Sequence, residues 1–325
     1  MSEKVLSISV AAYNIAETID TAVSSLLQDK ELLDEIEIII VNDGSKDQTS
    51  QMAHRYASLY PDSIFVIDKE NGGYGSTINA SLEIANGKYY KLLDGDDWYY
   101  SRNLRGFLDF LKKRPADIVV TPYFKIRDNE TIVDDHKEIG REPIELCTNS
   151  LVNHTFLMHE IAIATEKLRN LQCPIAEKCF YTDLEYVFYA VACADNVARY
   201  DEPIYCYRLG VEGQSVSLTG IRKHYKDYSV VARRMFAFYE KNVSSFTGSK
   251  KAALSASACD YTYHTYRAYT MLENPKEMKK ELVALDREIQ QSYPNVYTLG
   301  FNSKLVRYLR KSRFMLYPLF CRKYQ

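Results

Sequence analysis

The stretch Lys91-Leu92-Leu93-Asp94-Gly95-Asp96-Asp97-Trp98 decides how this chain is interpreted, because an apolar run ends abruptly in three carboxylates. Carboxylates crowded at the end of a strand repel one another unless a cation lies among them. Oxygen ligands on a short turn suit Mg²⁺ or Mn²⁺, which keep open coordination positions. The stretch therefore predicts a divalent cation site. The alternative is a solvated acidic turn, since Asp and Gly are ordinary turn residues.

The first third of the chain alternates short apolar runs with amphipathic stretches, which is typical of a parallel sheet covered by helices. The predicted strands lie near Leu6–Ala12, Glu37–Asn42, Ile64–Asp68, Tyr89–Leu93 and Ile118–Thr121. The predicted helices lie near Ala16–Gln28, Asp47–Tyr60, Gly75–Ala85 and Asn103–Lys113. A polar turn follows each of the first four strands. Because the carboxyl ends of parallel strands meet at one edge, we expect these turns to converge on one crevice.

The pattern changes along the rest of the chain. After residue 127 it loosens, with a predicted helix at Asp183–Ala194 and a strand at Pro203–Arg208. Beyond Gly220 it becomes helical, separated by Ser, Gly or Pro. The predicted helices there are Arg222–Asn242, Lys250–Leu272, Lys276–Ser292 and Ser303–Phe320. We therefore expect one domain over residues 1–219, in halves 1–125 and 126–219, and an α-helical subdomain over 220–325.

Composition narrows the classes of partner and compartment. The 325 residues are 46% hydrophobic and 26% charged, which suits a globular chain with a sizeable core. The formal charge of -2 provides no overall basic field, so we expect no nucleic acid partner. The run Val5–Ala12 is too short for a signal peptide, and no later segment approaches the length of a membrane span. These features predict a cytoplasmic protein.

Taken together, the polar turns resemble the motifs of glycosyltransferase family 2, whose members are inverting enzymes with the GT-A fold. The resemblance covers roughly residues 4–217. Val10-Ala11-Ala12-Tyr13-Asn14 resembles the first-strand motif, with Ala11 where proline is common, and Val41–Thr49 resembles the second-strand motif, with Asn42 replacing the usual first aspartate. The resemblance implies an α/β fold with a Rossmann-like mixed sheet. Residues 1–125 would then bind the nucleotide and residues 126–219 the acceptor.

The resemblance also implies a donor site on these turns. Asp43 would accept a hydrogen bond from the nucleotide base, and Tyr13 would stack on that base. The stretch Asn71–Asn79 resembles a family region beside the donor ribose or diphosphate, and its glycines permit close approach. The alternative for this stretch is a flexible turn with Ser76 as a helix cap. The implied donor-binding residues are Ala12, Tyr13, Asp43, Asn71, Gly72, Asn79, Asp94, Arg208 and Gln214.

The carboxylate turn matches the DxD motif of the family. Asp96 is the implied direct ligand of Mn²⁺ or Mg²⁺, with Asp94 near the metal or ribose, whereas Asp97 is a candidate cap of the next segment. An inverting transfer also needs a base for the acceptor proton. By resemblance this catalytic base is Asp183, for which the alternative is a helix N-cap. Glu185 is the weaker candidate for the base. It lies two residues after Asp183 and would therefore point in a different direction from the helix.

Arg208 and the residues after it resemble a loop that closes over donor phosphates in relatives. The guanidinium suits a diphosphate, and Gln214 or Ser215 would add hydrogen bonds. The alternative for Arg208 is a surface ion pair. His154 and His159 are candidates for the acceptor pocket, with a structural role as the alternative for each.

The last predicted helix has a basic, amphipathic composition. This is consistent with peripheral contact with the inner face of an anionic membrane, which would suit a lipid-linked acceptor. The alternative is packing on its own subdomain or on a second subunit of a homo-oligomer. The apolar residues are Leu305, Val306, Leu309, Phe314, Met315, Leu316, Leu319 and Phe320, and the basic ones are Lys304, Arg307, Arg310, Lys311, Arg313, Arg322 and Lys323.

The polar-turn motifs and the family resemblance together predict a metal-dependent glycosyltransferase. It would move a hexosyl group from a UDP-sugar to an acceptor hydroxyl with inversion. The acceptor would be a surface polysaccharide, a lipid-linked oligosaccharide or a glycoprotein. One alternative is a nucleotidyltransferase of similar fold, although no basic, glycine-rich triphosphate loop occurs near the N-terminus. The other is a non-catalytic carbohydrate-binding subunit. Motif spacing does not fix the donor sugar, because specificity rests on a few pocket contacts.

Overall fold

The computed structural model of the chain describes residues 4–113, 116–127, 130–134, 136–146, 156–210 and 217–321. These residues divide into two units. The first, called the sheet unit, contains the described residues of 4–146, 156–178 and 182–210. The second, called the helical unit, contains 179–181 and 217–321. Each unit has its own buried core.

The sheet unit contains two β-sheets. The larger has the strand order β3-β2-β1-β4-β10-β6-β11-β9 and the smaller β5-β12-β7-β8. β10 runs antiparallel to β4 and β6, so the larger sheet is mixed, as predicted. The strands are β1 Leu6–Ala12, β2 Ile36–Asn42, β3 Ile64–Asp68, β4 Tyr89–Asp94, β5 Trp98–Tyr99, β6 Ile118–Val120, β7 Tyr123–Ile126, β8 Glu130–Val133, β9 Ile144–Glu145, β10 Ile161–Ala164, β11 Asn196–Arg199 and β12 Tyr205–Arg208.

Strand register places the polar turns at one edge of the larger sheet. β1 pairs in parallel with β2, with Ala12 opposite Asn42, and with β4, with Ala11 opposite Asp94. All seven residues of β2 are buried, as expected for a parallel strand covered on both faces. The predicted first four strands are therefore confirmed, and their carboxyl ends lie side by side.

The helices cover the sheet in one unit and form the core of the other. The sheet unit has α1 Ile19–Ser24, α2 Thr49–Leu59, α3 Tyr74–Ile84, α4 Ser101–Lys113, α5 Thr165–Asn170 and α6 Asp183–Cys193. The helical unit has α7 Leu218–Asn242, α8 Gly248–Thr270, α9 Pro275–Ser292, α10 Pro294–Leu299, α11 Lys304–Lys311 and α12 Tyr317–Cys321. Among the described residues, no helix combines the length and the apolar character that a bilayer crossing requires.

A buried ion pair lies in the core of the helical unit. The Nε atom of Arg310 lies 2.7 Å from Oδ1 of Asp286, and the two side chains are 2% and 10% exposed. Arg310 also donates to the hydroxyl of Tyr266 at 2.9 Å and to the carbonyl of Tyr297 at 2.6 Å. These hydrogen bonds compensate the desolvation of the guanidinium. Neither partner can be lost without leaving a buried charge.

The prediction of one helix over Ser303–Phe320 is wrong, because the structure has two helices, α11 and α12. Arg313 and Phe314 between them adopt φ values of +48° and +62°, in the left-handed region that ends a right-handed helix. The backbone N–H of Phe314 donates to the carbonyl of Leu309 at 2.7 Å, which closes this turn. The chain then restarts as α12 with Pro318 in its first turn, where a missing N–H costs nothing.

Candidate active site

The loops that follow β1 and β2 are tied together by hydrogen bonds. The N–H of Asp43 donates to the carbonyl of Ala12 at 2.8 Å, and the N–H of Asn14 donates to Oγ of Ser45 at 3.0 Å. Asn14 itself has a φ of +52°, which Asn tolerates better than most residues. Tyr13 is 51% exposed. This connection leaves the Tyr13 ring accessible at the edge of the sheet.

Asp43 holds the glycine turn that precedes α3. Its carboxylate accepts hydrogen bonds from the N–H of Gly72 and the N–H of Gly73, both at 2.8 Å. Nζ of Lys69 lies 2.7 Å from Oδ1, so the charge of Asp43 is paired inside the site. Gly73 has a φ of +80°, a conformation that suits glycine. Oδ2 of Asp43 accepts a hydrogen bond from Gly73, and a carboxylate oxygen can accept another. The contact of Asp43 with a nucleotide base remains a prediction.

Asn71 and Asn79, at the two ends of the glycine-rich stretch, have different surroundings. The Asn71 amide donates to the carbonyl of Asp43 at 3.0 Å and so belongs to the same turn. Asn79 lies on α3, and its side chain bonds the N–H and carbonyl of Ile175 and a carboxylate oxygen of Glu177. These contacts give Asn79 a structural role in holding residues 175–177. Its predicted contact with a donor stays a prediction.

The carboxylate turn lies against the loop that follows β1. Asp94, Asp96 and Asp97 each offer an oxygen, and the three oxygens lie within 4.8 Å of one another. Oγ1 of Thr18 donates to the carbonyl of Gly95 at 2.7 Å, which fixes the turn. A Cβ atom at Gly95 would lie 2.7 Å from the carbonyl oxygen of Ala11, so no larger residue fits. The turn is therefore held close to the β1 loop.

Hydrogen bonds distinguish the carboxylates of this turn. The hydroxyl of Tyr205 donates to Oδ2 of Asp97 at 2.7 Å, and the N–H of Arg208 donates to Oδ1 at 2.7 Å. Both oxygens of Asp97 thus accept hydrogen bonds from β12, which makes Asp97 an anchor of that strand. Among the described residues, the Asp94 carboxylate accepts a hydrogen bond from the hydroxyl of Tyr74, at 2.6 Å. Asp94 and Asp96 are the better candidates for contact with a cation.

The electrostatics of the turn fit a divalent cation. Burial is the main reason that the pKa of Asp94 is raised to about 7, and the negative charges of Asp96 and Asp183 raise it further. The hydrogen bond from Tyr74 acts in the opposite direction. Burial and then the charge of Asp94 raise the pKa of Asp97 to about 8. A cation among hard carboxylate oxygens would remove this repulsion. The donor set suits Mg²⁺ or Mn²⁺.

Asp183 begins α6 beside the same cluster. Its negative charge raises the pKa of Asp94 and of the Tyr74 and Tyr207 hydroxyls, after burial in each case. The helix N-cap is Thr182, so Asp183 stands in the first turn and is not the cap. The positive end of the helix dipole favours a charged carboxylate there. Glu185 is fully buried and accepts a hydrogen bond from the N–H of Ala176 at 2.8 Å, which gives it a structural role.

Arg208 lies on β12 next to the carboxylate turn. Its guanidinium carbon lies 5.0 Å from the centre of the Trp98 ring, in a cation–π contact. β12 pairs with β5 so that Cys206 lies opposite Trp98. This pairing brings the Arg208 cation to the side of the turn. Gln214 and Ser215, the other predicted members of this region, lie outside the described residues, and His154 does too.

His159 lies inside the sheet unit and has the surroundings of a structural histidine. Its ring centre is 4.1 Å from that of Tyr123 and 5.0 Å from that of Tyr207, and the residue is 7% exposed. Burial, and then the charges of Lys91 and Lys125, lower the pKa of His159 to about 3. These contacts support the structural alternative for His159.

The pattern of motifs did not identify four residues that shape the site. Tyr74 and Tyr205 bond the carboxylates, Lys69 pairs with Asp43, and Trp98 lies under Arg208. Tyr74 could have been found from the sequence, since it directly follows the glycine pair. No local pattern marks Lys69, because its partner Asp43 lies 26 positions away in the chain.

The fold is that of GT-A glycosyltransferases. The chain is similar in structure to residues 1–349 of TarS from S. aureus, solved in complex with UDP-GlcNAc, with a TM-score of 0.61, 18% identity, and coverage of 91% of this chain and 90% of that one. It is also similar to the mannosyltransferase PcManGT from Pyrobaculum calidifontis, solved with GDP-Man and Mn²⁺, with a TM-score of 0.53, 14% identity, and coverage of 98% and 86%. At these identities the likeness shows the fold alone.

Within that class, residues 7–168 match Glycosyl transferase family 2, and the chain belongs to this family. The chain is 34% identical over 137 residues to the uncharacterized glycosyltransferase EpsJ of Bacillus subtilis, covering 42% of this chain and 39% of EpsJ. It is 26% identical over 240 residues to the minor teichoic acid biosynthesis protein GgaB of the same organism, covering 69% of this chain and 25% of GgaB.

A third relative is the uncharacterized glycosyltransferase RP339 of Rickettsia prowazekii, 35% identical over 127 residues, with 39% of this chain and 38% of RP339 covered. The chain thus spans between a quarter and two fifths of the length of these three relatives. Membership in this family supports a glycosyltransferase enzyme and argues against a nucleotidyltransferase of similar fold.

Proposed function

We propose that this protein transfers a hexosyl group from a UDP-sugar to an acceptor hydroxyl with inversion, using a divalent cation and Asp183 as the base. One observation carries the proposal. Contacts within the sheet unit connect the carboxylate turn to the start of α6. The hydroxyl of Tyr74 donates to Asp94, the neighbouring Gly75 packs against the backbone of Ala176, and the N–H of Ala176 donates to Glu185 in the first turn of α6. These contacts support one reaction centre for Asp183 and the candidate cation site.

On the donor side, Asp96 with Asp94 would hold Mn²⁺ or Mg²⁺, which supplies electrostatic stabilisation of the departing diphosphate. Arg208 would add a second positive charge to the diphosphate. The nucleotide would lie along the polar turns of the sheet edge. The residues proposed for it are Ala12, Tyr13, Asp43, Asn71 and Gly72, with Gln214 and Asn79 as further sequence-based candidates.

On the acceptor side, Asp183 would take the proton from the acceptor hydroxyl as its oxygen bonds to the anomeric carbon. The bond from that carbon to the diphosphate oxygen breaks in the same displacement, and UDP leaves with the electron pair. One displacement inverts the anomeric centre.

The choice of donor and acceptor class draws on the relatives. TarS was solved with UDP-GlcNAc and with UDP, and this supports a UDP-sugar as the donor. The name of GgaB refers to minor teichoic acid biosynthesis, and this supports an acceptor among surface polysaccharides or glycoconjugates. The sugar itself is to be found with a panel of UDP-sugars and Mn²⁺, because a bound donor raises the apparent stability of the folded state.

Two substitutions separate the proposed base from the proposed cation ligand. Asp183→Asn should lower kcat by about 10²- to 10⁴-fold, because the base is lost, while UDP binding in calorimetry stays near the wild-type value. Asp96→Ala should abolish the strengthening of UDP binding by Mn²⁺. The measurements are initial transfer rates and calorimetric titrations with and without Mn²⁺.

The matched controls are Glu166→Gln and Asp62→Ala, which remove exposed carboxylates on α5 and on the turn before β3. Both controls should keep transfer and cation-dependent binding. Near-normal transfer by Asp183→Asn would overturn the assignment of the base. Equal UDP affinity with and without Mn²⁺ in the wild type would overturn the cation site.

A further inference from the structure

The end of the helical unit exposes a cluster of large apolar side chains. Tyr308 is 50% exposed, Met315 72%, Leu316 36% and Leu319 55%. These four residues, called the apolar ridge, fall within one stretch of twelve positions. Single exposed apolar residues are ordinary on protein surfaces, but a group of this density marks an interaction site.

The ridge is exposed because the other residues of the same elements are anchored in the core. Phe314, Tyr317 and Cys321 are buried, and the hydroxyl of Tyr317 donates to the carbonyl of Tyr269 at 2.6 Å. The left-handed turn at Arg313 and Phe314 directs Phe314 inward. With the inward positions already filled, Met315, Leu316 and Leu319 remain on the surface of this fold.

Positive charge surrounds the ridge. Lys304, Lys311 and Arg313 are exposed, and Arg307 is half-buried with its guanidinium carbon 5.9 Å from the Tyr308 ring centre. On α11, Lys304, Tyr308 and Lys311 follow the spacing of one helix face. The sequence from Ile289 to Gln325 contains no Asp or Glu. The surface therefore combines exposed apolar side chains with positive charges, and residues 289–325 contain no acidic residue that could neutralise them.

We infer that this surface docks the protein on an anionic lipid bilayer. Met315, Leu316 and Leu319 enter the boundary between headgroups and acyl chains, and the cations contact lipid phosphates. The charge selects this occupant. A second copy of the chain in a symmetric dimer would bring the same positive charges together, whereas an anionic bilayer neutralises them. The inference is independent of the donor, the acceptor and the base proposed above.

The test is flotation of the full chain with vesicles of phosphatidylcholine alone or of phosphatidylcholine mixed with phosphatidylglycerol. We expect binding to the mixed vesicles that weakens as salt is raised, and much weaker binding to phosphatidylcholine alone. Lys304→Gln with Lys311→Gln should weaken binding to the mixed vesicles by about 30-fold, because each cation contributes a factor of about five. Met315→Glu with Leu319→Glu should weaken it by at least about tenfold.

Two matched variants keep the test specific. Val230→Glu alters an exposed apolar residue on α7, and Lys276→Gln with Lys280→Gln removes two exposed cations from α9. Both should bind vesicles as the wild type does, and all variants should keep the wild-type unfolding temperature. Equal binding to both kinds of vesicle, or wild-type binding by the Met315→Glu, Leu319→Glu variant, would overturn the inference.

Light scattering of the same samples gives a further outcome. A wild-type dimer that the Met315→Glu, Leu319→Glu variant converts to a monomer, without any vesicle binding by the wild type, would identify the ridge as a subunit interface. That result would also overturn the inference. Vesicle binding that each pair of ridge or lysine substitutions weakens would support it.

Discussion

Shared hydrogen bonds at individual residues determine which carboxylates of the Asp94–Asp97 turn remain available to a ligand. The hydroxyl of Tyr205 donates to Asp97 and accepts from the backbone N–H of Asp94, at 2.7 and 3.1 Å. It thereby joins β12 to the end of β4. This hydroxyl and the hydrogen bond from Thr18 to Gly95 together hold the turn in shape.

Tyr205→Phe is expected to lower the free energy of unfolding by about 1–3 kcal/mol. The substitution keeps the ring but leaves the buried carboxylate of Asp97 and the N–H of Asp94 each without one hydrogen bond. Equilibrium urea unfolding measures the loss. Mn²⁺-dependent UDP binding should weaken as well, because the turn loses its fixed geometry.

Tyr186→Phe is the matched control for this loss. Tyr186 is fully buried in the same unit, and its hydroxyl has no hydrogen-bond partner among the residues that the structure describes. Removing that hydroxyl should leave stability unchanged or raise it slightly. Equal losses in the two variants would show that the Tyr205 hydroxyl contributes nothing specific.

At the scale of elements, α3 packs closely against the backbone of residues 175–177. A Cβ atom built on Gly75 would lie 1.9 Å from the carbonyl oxygen of Ala176, which is shorter than any allowed contact. The Asn79 amide bonds the same segment one helical turn later. Glycine at the start of α3 therefore sets the distance between this helix and the segment that leads towards α6.

Gly75→Ala is expected to destabilise the protein by about 1–3 kcal/mol, because backbone atoms and not a flexible side chain must move to admit the methyl group. Transfer activity should fall further than stability alone explains, since the segment continues to Asp183. Thermal unfolding and initial rates give the two measurements.

Gly140→Ala serves as the control for added volume, because a Cβ there would meet its nearest atom at 4.0 Å. It should change the unfolding temperature little. If Gly75→Ala were equally harmless, the close approach of α3 to residues 175–177 would be wrong.

The elements also show what a sequence reveals and what it hides. The first four strands were predictable because their apolar runs and following polar turns repeat at regular spacing. Of the smaller sheet, β12 was predicted within Pro203–Arg208, whereas β5 was not, since a two-residue strand has no periodicity. The break between α11 and α12 was hidden for a different reason. Its left-handed residues are Arg313 and Phe314, and the sequence offers no Gly or Asn there to mark the turn.

The same limit applies to the candidate site. Asp94, Asp96 and Asp183 were predictable from local motifs and a family resemblance. Tyr205 was not, because its role depends on Asp97, 108 positions away in the chain. Asn42 was noticed as a departure from the family motif, and the structure gives a physical reason. Its amide donates to Asp68 at 2.6 Å, where a second carboxylate would repel.

At the scale of the whole molecule, the two units have separate cores and separate tasks in the proposals above. The donor site uses residues of the sheet unit, and the lipid-docking surface uses residues of the helical unit. The core of the helical unit depends on the buried pair Arg310–Asp286. A substitution in this pair tests whether the helical unit can be destabilised while the sheet unit still binds UDP.

Arg310→Leu is expected to destabilise the helical unit by about 3–5 kcal/mol, because Asp286 would remain buried without its partner. Hydrogen exchange should increase in α8 and α9, while amides of β1, β2 and β4 keep their protection. UDP binding should stay close to the wild-type affinity. Arg233→Leu, which removes an ion pair with Glu288 that is 42% and 37% exposed, is the control and should have a small effect. Loss of UDP binding in Arg310→Leu would contradict this separation.

The chain contains a single tryptophan, and it is the residue that directly follows the three carboxylates. Trp98 lies under the guanidinium of Arg208, so an anion that draws Arg208 away changes the electric field at the indole ring. Excited at the red edge of its absorption, where tyrosine no longer absorbs, this indole is a native optical reporter of the donor site. Its emission would follow nucleotide and cation binding in the unlabelled protein.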